Sequence, residues 1–207
     1  MKNKKKIFVL IIIVIAFIVS GLTAVYLYKN RYAEKIIPSA EIAVDNAVAF
    51  YQKDDLWKND PLGDSEYHMG DSGCLTTCIA SELLMQNISV DEIPDITPGT
   101  LNEFFSNNNV YDSEGNLQWD AAGSALNVTF VKKDTSEISQ TELENLIERN
   151  VYPIVCVKMP SSGNYHFVLL VGSDEHSFLC MDPLNKDKSI VSMDKFSDTI
   201  YSVKYCE

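Results

Sequence analysis

Two short segments hold a thiol, an imidazole and a carboxylate in the order Cys74, His166, Asp182: GDSGCLTTCIASELL (70–84) and NYHFVLLVGSDEHSFLCMDP (164–183). A sulfur nucleophile needs this set, since the imidazole takes the thiol proton while the carboxylate orients the ring and stabilises its charged form. Cys74 follows a glycine at the start of a helical pattern. There the unpaired N–H groups and the positive end of the helix dipole favour negative charge on sulfur. A buried cysteine in the first turn of a core helix is the other reading of the same position. His166 opens the most apolar strand pattern in the chain, where an imidazole needs a polar partner. Of the other two histidines, His176 sits in a polar turn and His68 in the loop before Cys74.

The elements that position these groups follow from periodicity. Ser39 is a candidate N-cap for a helix over AEIAVDNAVAFYQ (40–52), with Glu41 and Asp45 near its positive end. Residues 53–73 read as loop. The helix from Cys74 carries Leu75, Ile79 and Leu83 on one face. Pro98 suits the first turn of a helix over 98–107, a further helix is expected over 117–126, and Ser139 with Glu142 marks one through about Arg149. Strand patterns then dominate: 152–158, 166–172, 177–182, 189–193 and 199–206. Helices first and an antiparallel sheet second describe one α+β domain.

A turn centred on Asp174 would pair residues whose numbers sum to 348, so that Gly172 faces His176, Val168 faces Cys180 and His166 faces Asp182. Directly opposed residues share a face, and a slip of one residue would separate them. The other reading of Asp182 is an Asp-Pro turn residue, with Asn185 as a second candidate orienter.

The amino end differs from the rest. Residues 7–28 contain no charge, enough at about 1.5 Å per residue to span a hydrocarbon core of about 30 Å. Four lysines precede this run, and Lys29 and Arg31 follow. The expected organisation is a cytoplasmic basic tail (1–6), a transmembrane anchor (7–28), a stalk (29–36) and an extracytoplasmic domain (37–207) in the cell membrane, secreted if the segment is cleaved. Residues 33–207 hold eleven basic and twenty-nine acidic side chains, a formal −18, which argues against nucleic acid as a partner. Five cysteines leave at least one thiol unpaired, and their spacing fits neither a zinc site nor a disulfide framework.

The stretches FYQKDDLWKND, MGDSGCLTTCIASELL, YPIVCVK, NYHFVLLVG and FLCMDP together resemble the bacteriocin-processing (double-glycine leader) peptidase-like branch of the papain-like cysteine peptidases, over about residues 47–184. The resemblance implies a papain-like fold, helices packed on an antiparallel sheet. It implies Cys74 as nucleophile, His166 as general base and acid, Asp182 as orienter, and Gln52 as an oxyanion donor beside the Cys74 N–H. Leu75 stands where such proteins often have glycine. Gln52 also reads as the exposed end of a helix. No metal or organic cofactor is implied. The expected partner is a peptide or protein, with a cell-wall peptide or isopeptide hydrolase or transferase, or a catalytically inactive peptide-binding domain, as the alternatives.

Overall fold

The computed structural model describes the backbone of residues 2–29 and 32–207, and the side chains of 11–25, 27 and 32–207. The chain divides into two units, 1–33 and 34–207. The first is the helix α1 (Lys2–Lys29), whose described large apolar side chains, Ile11 to Val25 and Leu27, are all exposed. Among the described residues no helix is long and apolar enough to cross a membrane, so the span expected over 7–28 gains no support here. The side chains of 1–10, 26 and 28–31, which carry the expected basic tail and parts of the anchor and stalk, lie outside the described residues.

The second unit carries the helices α2 (Met69–Ser72), α3 (Cys74–Met85), α4 (Pro98–Asn107), α5 (Trp119–Leu126) and α6 (Gln140–Glu148). Its strands are β1 (Glu34–Lys35), β2 (Phe130–Lys133), β3 (Ile154–Lys158), β4 (Tyr165–Ser173), β5 (Phe178–Met181), β6 (Ile190–Ser192), β7 (Thr199–Ile200) and β8 (Ser202–Cys206). Six strands form one antiparallel sheet in the order β2-β8-β3-β4-β5-β6, and β1 pairs with β7 in a second. The expected α+β class holds. Helix α3 is buried over Thr76–Leu83 and packs chiefly on β4, which fixes the amino end of a core helix beside the start of a core strand.

The helix expected over 40–52 is absent. That segment is extended because its polar groups find partners in the domain. Ile42 and Ser173 exchange both backbone hydrogen bonds at 3.0 Å, and the Ser173 hydroxyl donates to Ala40 O. Ser39 does not cap a helix; its N–H and hydroxyl donate to the buried Glu144 carboxylate, as does the Ala40 N–H. Gly172 permits this docking, since a Cβ there would lie 2.7 Å from Ile42 O and from Val44 Cγ2.

The β4–β5 register also differs from the simple hairpin. Near the turn Gly172 pairs with Leu179 and Ser173 with Phe178; farther along Leu170 pairs with Cys180 and Leu169 with Met181. Val171 is the extra residue of a β-bulge. Without it the register at the turn would continue, and His166 and Asp182 would project from opposite faces. The bulge restores the parity, making the two diagonal neighbours on one face instead of the directly opposed pair expected.

Candidate active site

Cys74 is the first residue of α3, and α2 ends just before it at Gly73. Gly73 is required there: a Cβ would stand 2.5 Å from Met69 O. Cys74 is partly exposed, whereas Cys78, Cys156, Cys180 and Cys206 are buried. Burial pushes the thiols of those four up, so they stay protonated at neutral pH and Cys74 is the accessible sulfur.

His166 Nε2 donates to Asp182 Oδ1 at 2.8 Å, with both side chains almost fully buried. That bond sets the tautomer and leaves Nδ1 without the proton partner Asp182 supplies to Nε2, while the Cys74 sulfur lies close enough to act on the same ring. Burial alone would lower the imidazole's proton affinity. The bond to Asp182 and the interaction with the Cys74 sulfur outweigh it and raise His166 to about 9. Asp182 shows the mirror case: burial raises it, but its bonds to His166 and Lys195 dominate and hold it at about 2. The ring therefore stays an imidazolium and the acid a carboxylate at neutral pH.

Gln52 reaches the edge of this group. Its backbone N–H donates to Pro183 O at 2.9 Å, next to Asp182, and its Nε2 donates to Gly70 O at 3.0 Å, one turn before Cys74. It thus joins the loop that follows Asp182 to the turn that precedes Cys74. It is buried and not on a helix, which corrects the exposed helix end. One amide hydrogen is committed to Gly70, and Oε1 has no hydrogen-bond partner.

A cleft of about 340 Å³ opens beside Cys74. Leu62, Leu75, Tyr111, Trp119 and Phe167 give it apolar walls. Two site neighbours were not singled out from the sequence. Lys195 Nζ lies 2.7 Å from Asp182 Oδ2, and the Phe196 ring centroid is 6.2 Å from that of His166. Both belong to a one-turn 3-10 helix (Met193–Phe196) capped by Ser192. Ser192 marks a turn in the sequence, but nothing there aims the turn at Asp182.

Asn185 donates its side-chain amide to Ser189, so it does not orient His166. Among the described residues no cluster of His, Cys, Asp and Glu is suited to a metal ion.

No protein-family model matches the chain, and no curated protein does. A solved structure does: a Bacillus anthracis protein provisionally described as a C39-like peptidase, 16% identical, with a TM-score of 0.51 over 81% of this chain and 98% of that one. The likeness carries the fold, while the narrower bacteriocin-processing branch rests on the sequence motifs alone. In architecture, this chain is similar to a C39-like peptidase.

Proposed function

We propose that the chain is a cysteine peptidase of the bacteriocin-processing peptidase-like branch. The observation that carries the reading is the Cys74–His166–Asp182 constellation on a fold similar to that of a C39-like peptidase. Cys74 Sγ attacks the peptide carbonyl, and the oxyanion is met by the Cys74 N–H and by the second amide hydrogen of Gln52. His166 gives its proton to the departing amine, leaving a thioester. Water then attacks while His166 takes its proton; the tetrahedral intermediate expels the sulfur, which releases the acid and restores the sulfur nucleophile beside the imidazolium. The cleft beside Cys74, with Leu62, Trp119 and Phe167 facing Ser72, Glu114 and Asn116, suits a peptide that offers an apolar side chain together with hydrogen-bonding groups.

Iodoacetamide labelling of the full chain tests the activated sulfur. His166→Ala is expected to slow the labelling of Cys74 at neutral pH about a hundredfold. Cys74→Ala is expected to abolish hydrolysis. A Cys74 that labels as an ordinary thiol would make it structural and turn the reading toward a peptide-binding domain. Hydrolysis of purified peptidoglycan in preference to protein would move the substrate to cell-wall peptides.

The proposed location is the cell membrane, with residues 37–207 outside. Support comes from the apolar side chains exposed on every side of α1 and from the lysines at its start. Protease added to intact cells is expected to digest the domain and spare a fragment containing α1. Complete protection would place the domain inside, and release of the intact chain into the medium would mean that the segment is cleaved.

A further inference from the structure

Asp182 is buried, yet both of its oxygens are held. Oδ1 accepts from His166 Nε2 and from the Leu184 N–H, each at 2.8 Å, and among the described residues Oδ2 accepts only from Lys195 Nζ, at 2.7 Å. Lys195 has about half of its side chain in water, with 44% exposed, while Asp182 has none. Most surface ion pairs join two solvated groups and contribute little. Here the lysine reaches in from the surface to a carboxylate that water does not touch.

Its approach is fixed by the backbone on both sides. Ser192 caps the turn through the Asp194 N–H, and Phe196 is buried against the His166 ring. Ser197 and Asp198 then take left-handed conformations at φ 60 and 50. Asp198 holds that reversal by accepting from the Ser177 hydroxyl at 2.6 Å and from the Ile36 N–H at 2.8 Å. A segment anchored at four points thus delivers Phe196 to the imidazole and Lys195 to the acid.

We propose that Lys195 is a positioning residue of the site: it holds the far oxygen of Asp182, fixing the carboxylate against His166 and setting how strongly the acid retains the ring's proton. The inference rests on the peptidase reading of Cys74 and His166. A carboxylate shared between an imidazolium and an ammonium pulls on each less than it would pull on one alone. The lysine therefore limits the basicity that Asp182 confers on His166, and a ring that must release its proton to the departing amine benefits from that limit. The other groups near Asp182 are the Cys78 and Cys180 thiols, from α3 and β5, and both stay protonated. The Cys74 sulfur is the other group acting on the His166 ring. Among the described residues Lys195 is the cation on Asp182 besides the imidazolium itself.

The test is an NMR titration of the His166 ring in the full chain, with Lys195→Met and Lys195→Arg beside the wild type. The Met variant is expected to raise the titration midpoint by about half to one pH unit, and Arg to return it toward the wild-type value. A merely structural ion pair would change the melting temperature and leave the midpoint in place. An unmoved or lowered midpoint in Lys195→Met overturns the proposal. Iodoacetamide labelling of the same samples separates this from the underlying reading. If wild-type Cys74 labels as an ordinary thiol, the peptidase reading fails; if it labels early and the midpoint does not move, only the role of Lys195 fails.

Discussion

Replacing Asp182 with alanine is expected to lower hydrolysis by a factor on the order of 10³ to 10⁴ while leaving the substrate's KM largely unchanged. The acid makes one bond to the ring and carries the charge that supports its protonation. In its absence burial is opposed only by the Cys74 sulfur, so the His166 titration should fall well below about 9. The same pair leaves a mark on stability. His166, raised on folding, contributes fully below 6.5 and loses its contribution as pH rises through about 9. Asp182, depressed on folding, contributes above 3.8 and loses its contribution as pH falls through about 2. Between 3.8 and 6.5 the pair is at full strength, and there the alanine variant should show its largest loss in melting temperature. Asp182→Asn separates geometry from charge. An amide oxygen can still accept from His166 and from the Leu184 N–H, so orientation survives while the titration falls. A rate in Asp182→Asn close to wild type would assign the acid's effect to orientation; a rate close to Asp182→Ala would assign it to charge.

The meeting of the three groups was legible in the sequence because they lie on regular elements. The glycine before Cys74, the period of α3 and the apolar run from His166 each reflect a local rule, and the structure places the three groups together. The register was legible only to its parity. A smooth hairpin pairs His166 with Asp182 directly, while the real one reaches the shared face through the bulge at Val171, which no residue type announces. The segment 40–52 misleads for a related reason. Its helical pattern is genuine, but Ser39 and Ala40 find Glu144, and Ile42 finds Ser173, more than a hundred residues away. Tertiary partners thus override a local cap. Lys195 was silent altogether, because a lysine in a polar turn looks the same whether it faces water or a buried acid.

Replacing Glu82 with glutamine should stabilise the domain in mild alkali and change little in acid. Glu82 lies inside α3, fully buried, two turns beyond Cys74. Its Oε1 accepts from the Cys206 N–H at 2.8 Å and from Gln86 Nε2 at 3.3 Å, while Oε2 has no partner. Burial raises this carboxyl from 4.5 to about 8, against a smaller opposing effect of the Cys206 bonds. The fold thus keeps the acid neutral at pH 7, and the unfolded chain lets it ionise. Stability must then fall as pH rises from 4.5 to about 8, by about 5 kcal/mol over the whole range and about 3 kcal/mol by pH 7. Glutamine keeps the shape and the acceptor for Cys206 and never ionises. Urea unfolding at about pH 5 should therefore give similar midpoints for the two proteins, and at about pH 8 the variant should be more stable by several kcal/mol. His166 loses its own contribution over part of the same interval, so the wild-type decline has two sources. Combining Glu82→Gln with Asp182→Ala resolves them: additive changes give each group its own share, and a departure from additivity measures their coupling. Parallel curves for wild type and Glu82→Gln would mean that Glu82 is already ionised in the fold, with Oε2 held by a donor that reaches it in solution. Diverging curves would mean that the helix that begins at Cys74 also carries a store of pH-dependent instability.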